Sequence, residues 1–196
     1  MKRERAIELI LDYIAPYDIV VVTTGKAGRE LFELREKRRE SHAQDFLNVG
    51  AMGHASMIAF GIALAKPKRS VWCLDGDGAL LMHTGSLALI GALKPDNLRH
   101  LVLNNGAHDS VGGMPTAGFS VDMPALARAS GYRAAARAAT ESEMVKAVRH
   151  LARVRGPAFL EVRIERGARA DLGRPSRSLT YLKNRFIDFV RKERRR

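Results

Sequence analysis

The run Asp18-Ile19-Val20-Val21-Val22 has no polar residue after its first position. A strand with one face in water alternates, so an unbroken β-branched run belongs in a parallel sheet covered on both faces. Ser70–Leu74, His100–Leu103 and Phe159–Ile164 read the same way. Helix-length segments separate these strands, which predicts β-α-β winding: an α/β fold, a doubly wound, mostly parallel sheet with helices on both faces.

Local signals place several of the helices. Thr140-Glu141-Ser142-Glu143 has the form of a capping box, followed by Met144, Val148 and Leu151 at helical spacing and stopped by Gly156-Pro157. Asp122 and Pro124 open another helix, closed by Gly131. A helix is expected over Arg29–Lys37, one over roughly Ser86–Leu93, and amphipathic ones over 2–14 and 179–196. With 196 residues there is room for one domain, assigned to 1–165, followed by a basic connector and a C-terminal helix over 166–196.

Lys and Arg number 33 against 21 Asp and Glu, a net charge of +12 that favours anionic partners without choosing among them. The terminal Arg-Lys-Glu-Arg-Arg-Arg suits a solvated helix end, whose carbonyl dipoles favour cations. No aromatic residues are interleaved with it, which speaks against a nucleic-acid tail. One cysteine excludes an internal disulfide framework and fits a reducing compartment. With no leader-like start and no apolar run near the ~18 residues of a membrane span, a cytoplasmic location away from membranes is expected.

The chemistry collects in three loops, each leaving the carboxyl end of a strand, where open α/β sheets bind ligands. They are Thr23-Thr24-Gly25-Lys26-Ala27-Gly28, Asp75-Gly76-Asp77-Gly78-Ala79 and Asn104 through Gly113. Glycines let backbone amides approach a phosphate, and a following helix adds its positive end. A carboxylate between glycines and an asparagine from the next strand offer oxygen ligands to Mg²⁺ or Ca²⁺; zinc would need a Cys/His cluster. Taken singly, each loop is an ordinary turn. The pairing carries the argument: 25 residues separate Gly78 from Asn104, room for one helix and one return strand to the same edge.

Gly76-Asp77-Gly78, 25 residues and then Asn104-Asn105 resembles the signature of thiamine diphosphate-dependent enzymes. With Thr23-Thr24-Gly25, Gly50-Ala51-Met52-Gly53-His54-Ala55 and Leu103 through Gly113, the likeness over roughly 5–165 is to phosphonopyruvate and sulfopyruvate decarboxylases. The resemblance implies a thiamine diphosphate-binding fold with Mg²⁺ held by Asp77, Asn105 and the carbonyl of Ala107. It implies diphosphate against Gly78 and Ala79 and against the Thr24-Gly25-Lys26 turn, with Gly76 part of the same loop. Ala79 stands where relatives often carry serine, so one hydroxyl contact is missing. Met52 would wedge beneath the cofactor, and Gly50 would accept from its amino group; without the surrounding motif, Met52 reads as core packing. His54 and His108 are the catalytic candidates, with His83 behind them, and Met114 replaces a frequent glutamine.

The activating glutamate of such enzymes comes from a pyrimidine-binding domain absent from this chain. The resemblance thus implies the β subunit of a heteromeric, thiamine diphosphate- and Mg²⁺-dependent 2-oxo acid decarboxylase, with an α subunit as partner. The substrate would be a small anionic 2-oxo acid, sulfopyruvate or phosphonopyruvate, giving CO₂ and an aldehyde. An acetolactate synthase-like carboligase subunit and a non-catalytic cofactor- or nucleic-acid-binding protein stay open, as does a homodimer of the isolated chain.

Overall fold

The computed structural model describes residues 1–192. Six strands form one parallel sheet: β1 (Ile19–Val22), β2 (Asp45–Leu47), β3 (Val71–Gly76), β4 (Leu98–Asn104), β7 (Ala134–Ala138) and β8 (Ala158–Arg163). β5 (Ala107–His108) and β6 (Met114–Pro115) form a small antiparallel pair beyond β4. The helices are α1 (Arg3–Leu11), α2 (Lys26–Arg38), α3 (Ala55–Ala65), α4 (Asp77–Met82), α5 (Gly85–Leu93), α6 (Met123–Ala129), α7 (Glu141–Arg153) and α8 (Leu179–Arg191).

Strand order is β2-β1-β3-β4-β8-β7. The chain reverses its direction of travel across the sheet between β1 and β3, so the loops after those strands flank the crevice where ligands bind in open parallel sheets. The unbroken apolar runs are buried on both sides. Val20, Val22, Trp72, Leu74, Leu101 and Leu160 join α1, α2 and α7 in one core. Ile19, Val21, Val71, Cys73, Val102 and Phe159 join α3, α5, α6 and α8 in the other. The Thr140 capping box is present, and the Asp122 side chain accepts from the Ala125 N–H at 3.3 Å.

Several expected boundaries move. α1 is shorter than 2–14, and α2 begins at Lys26 rather than Arg29. β3 continues through Gly76 and α4 begins at Asp77, so 75–79 is a strand end and a helix start instead of a free loop. Pairing with Val102 of β4 lets Asp75 finish the strand, and Gly76 in extended conformation makes the turn. β2, β7 and α3 carry no clear sequence signal. The C-terminal helix ends at Arg191; residues 193–196, most of the Arg-rich tip, lie outside the described residues. α8 docks through Leu182 and Phe186, and the Arg69 guanidinium sits 4.4 Å over the Phe189 ring while donating to the Phe189 carbonyl.

Stretch 166–178 is not a free linker. The Gly167 N–H donates to Asp109 at 3.0 Å, Arg166 donates to the Gly106 carbonyl at 3.2 Å, and Arg169 pairs with Glu33.

Close backbone contact between α5 and the end of α6 gives a stability prediction. A Cβ on Gly91 would overlap the Ser130 carbonyl, a backbone atom that cannot swing aside. Gly91→Ala should cost about 3 kcal/mol, the upper range for overpacking, and lower the melting temperature by roughly 6–12 °C. Thermal unfolding measures it, and an unchanged midpoint would refute the packing.

Candidate functional site

A cleft of about 530 Å³ opens at the carboxyl ends of β1, β3 and β4. Thr23, Thr24, Gly25 and Lys26 line it from the β1 side; Asp75 through Ala79 from β3 and α4; Asn105, Ala107, His108 and Ser110 from the β4 side; Met52 closes another wall. Of the cofactor, metal and histidine candidates, only Gly50, His54 and His83 do not line it.

Each wall has a local cause. Gly25 sits at φ +111°, a conformation that glycine adopts without strain, and turns β1 into α2 with no side-chain cap on the helix. The first-turn amides of this 13-residue helix are therefore open to an anion. The Thr23 hydroxyl is buried there with no hydrogen-bond partner. Thr24 ties the next wall in place: its Oγ1 accepts from the Gly50 N–H at 3.2 Å. The 50–53 turn is tight, with Gly50, Ala51 and Gly53 all at positive φ.

Asp77 is 2% exposed and holds the centre. The Thr116 hydroxyl donates to its Oδ2, and the nearby backbone N–H groups of Asp77, Asn105 and Gly78 also favour its ionised form. Burial still pushes the carboxyl above its usual range, outweighing those donors. Neighbouring Asn104 is engaged elsewhere, its Nδ2 donating to Glu161 and to the Gly118 carbonyl, each at 2.7 Å.

His108 packs on Gly78 so closely that a Cβ there would overlap its ring. His54 lies apart, in a neighbouring recess with His83, Met57 and Leu89, its ring 4.4 Å from that of His83. The structure therefore separates His54 from His108. Met114 is exposed on β6.

Beneath the cleft, Asp75 Oδ1 accepts from the Gly76 N–H at 2.9 Å, while its buried Oδ2 faces His100 Nε2 at 3.5 Å. His100 Nδ1 lies 3.0 Å from the Tyr132 hydroxyl. Tyr132 donating to Nδ1 leaves a proton on Nε2, which like Asp75 Oδ2 is buried without a hydrogen-bond partner. Sequence reasoning missed Thr116, Gly118 and His100, which reach the site from far along the chain.

An unsatisfied hydroxyl, an uncapped helix start and exposed glycine amides suit a diphosphate. A buried carboxylate, an amide oxygen and a carbonyl suit a hard divalent cation.

Residues 23–162 match the family model "Thiamine pyrophosphate enzyme, C-terminal TPP binding domain". The chain belongs to this family. The thiamine pyrophosphate-binding domain is 42% identical over 188 residues to phosphonopyruvate decarboxylase of Streptomyces hygroscopicus, covering 96% of this chain and 45% of that protein. Against sulfopyruvate decarboxylase subunit beta of Methanothermobacter thermautotrophicus it is 34% identical over 132 residues, 67% of this chain and 68% of the relative. The chain thus spans less than half of the phosphonopyruvate decarboxylases it matches and about two thirds of the beta subunit. Benzoylformate decarboxylase from Polynucleobacter necessarius shares the fold, with a TM-score of 0.73 at 17% identity over 85% of this chain and 33% of that one. No helix among the described residues is long and apolar enough to cross a membrane.

Proposed function

We propose that this chain is the diphosphate-binding β subunit of a 2-oxo acid decarboxylase that takes phosphonopyruvate or sulfopyruvate and releases CO₂ and an aldehyde. The observation carrying the proposal is the convergence of Asp77 and Asn105, from the ends of adjacent strands, on one cleft. The names of the relatives support the substrate class.

In this reading Mg²⁺ is held by the Asp77 carboxylate, the Asn105 amide oxygen and the Ala107 carbonyl. The amides of Gly25, Lys26, Gly78 and Ala79 and the Thr23 hydroxyl would hold the diphosphate. Bound thiamine diphosphate supplies the nucleophilic carbon and accepts the electron pair released with CO₂. Met52, lining the cleft, would support the bound cofactor, and the Gly50 carbonyl would accept from its amino group. His108, beside Gly78, stands within the same cleft and contacts diphosphate or substrate. His54 and His83 face the neighbouring recess.

The activating glutamate comes from an α subunit covering the open side of the cleft. Val49, Met82, Val111 and Met114, all exposed on connections at this sheet edge, favour such a cover. Mixing the chain with that subunit, Mg²⁺ and thiamine diphosphate should produce aldehyde from phosphonopyruvate or sulfopyruvate at least about 10²-fold faster than either chain alone. Equal turnover by the isolated chain would overturn the split site, and an acetohydroxy acid as product would overturn the decarboxylase reading.

A further inference from the structure

Asn105 can ligate a cation only through its amide oxygen, and an asparagine side chain can present either end. Here Nδ2 donates to Asp109 Oδ2 at 2.8 Å, and Oδ1 accepts from the Ala107 N–H at 3.0 Å with a second lone pair left over. Reversing the amide would set oxygen against carboxylate and NH₂ against N–H.

Asp109 is itself fixed. The same Oδ2 accepts from Arg3 at 2.9 Å and from the Gly167 N–H at 3.0 Å. Arg3, 7% exposed, is clamped by Glu30 through two bonds of 2.7 and 3.1 Å. α1 and the post-β8 stretch thus converge on one carboxylate oxygen, and α2 braces Arg3 through Glu30. A buried Arg with two carboxylates is costly to assemble unless every donor is met.

We propose that Asp109 is a positioning residue, held by Arg3 and Gly167, that locks the Asn105 amide with its oxygen toward the cation. The inference rests on the metal site proposed above. Partners behind metal ligands commonly govern affinity by 10- to 100-fold.

The test is Mn²⁺ binding to the full chain in the presence of thiamine diphosphate, read by electron paramagnetic resonance, with melting of the metal-free protein alongside. Asp109→Ala should weaken Mn²⁺ about 10- to 100-fold. Asp109→Asn can place one oxygen where Oδ2 now accepts all three donors, so it should restore affinity to within about threefold of the wild type, less than 1 kcal/mol. Wild-type affinity in the alanine variant overturns the proposal while leaving the metal site standing. An asparagine variant as weak as alanine also overturns it, because charge and not placement would then be the cause. A wild-type chain that binds no Mn²⁺ removes the metal site and this inference together. Should Asp109→Ala fail to fold, the wild type decides by NMR. Its Asn105 side-chain NH₂ should exchange at least about tenfold more slowly than that of an exposed asparagine, as a hydrogen bond worth about 1.5 kcal/mol requires; free exchange overturns the proposal.

Discussion

Asp77→Ala should abolish Mg²⁺-dependent binding of thiamine diphosphate, with the loss on the order of 10²- to 10⁴-fold by titration calorimetry. The scale comes from removing one member of a buried charge pair, roughly 3–5 kcal/mol. The stability consequence runs the other way. Burial raises the Asp77 carboxyl, so the folded state disfavours its ionised form, and at neutral pH that charge costs the metal-free fold stability. Asp77→Asn keeps the shape and an acceptor for Thr116 while removing the charge. It should melt no lower than wild type without metal, yet bind cofactor nearly as poorly as the alanine variant. A carboxylate kept at a cost to the fold is the signature of a binding group. Unchanged cofactor affinity in both variants would sink the metal assignment.

The parallel sheet was legible because its inner strands leave no ambiguity: a run such as Ile19–Val22 can be buried on both faces and nowhere else. The edge strands carry no such mark. β2 is Asp-Phe-Leu, with Asp45 buried only because Arg35 donates to it at 3.0 and 3.1 Å. β7 is Ala-Ala-Ala-Arg-Ala, a helix-favouring composition that becomes a strand by pairing with β8, a case of tertiary context overriding propensity. In the site, the placement of Gly76–Gly78 and Asn104-Asn105 at one edge could be read from spacing, since each ends a strand. Their supports could not. Thr116 reaches Asp77 from 39 positions away and Arg3 reaches Asp109 from 106, and neither leaves a local pattern. His54 and His108 looked equivalent as histidines in matched loops, but His54 is turned away where its Nδ1 meets the Met52 carbonyl at 3.3 Å.

Gly118 shows how one of these hidden supports can be tested. It looks like an ordinary loop glycine and has no positive φ that would demand the residue. What demands it is space. A Cβ there would overlap Asp77 Oδ2 and crowd Asn104 Oδ1 at 2.5 Å and Asp77 Cβ at 2.9 Å. None of these can retreat cheaply. Asn104 is fully buried and bound to Glu161 and to Gly118 itself, while Asp77 is held by Thr116, whose Oγ1 in turn accepts from the Gly118 N–H at 3.1 Å. The 116–118 segment and the Asp77 carboxylate are therefore one unit, and a methyl group must push the carboxylate away or lift the segment off it. Gly118→Ala should cost about 1–3 kcal/mol in stability, the range for overpacking a close-packed site. It should also weaken Mg²⁺-dependent cofactor binding by roughly 10- to 100-fold, as loss of a support behind a metal ligand does. Gly112→Ala is the control, because a Cβ at Gly112 meets nothing within 4 Å and its strain at φ +87° is local to the exposed turn. If Gly118→Ala loses stability and keeps full cofactor affinity, the segment merely packs on the sheet and does not hold Asp77. If both variants lose affinity equally, the cause is loop disturbance. Loss of affinity confined to Gly118→Ala would tie a residue outside every recognisable motif to the placement of the central carboxylate.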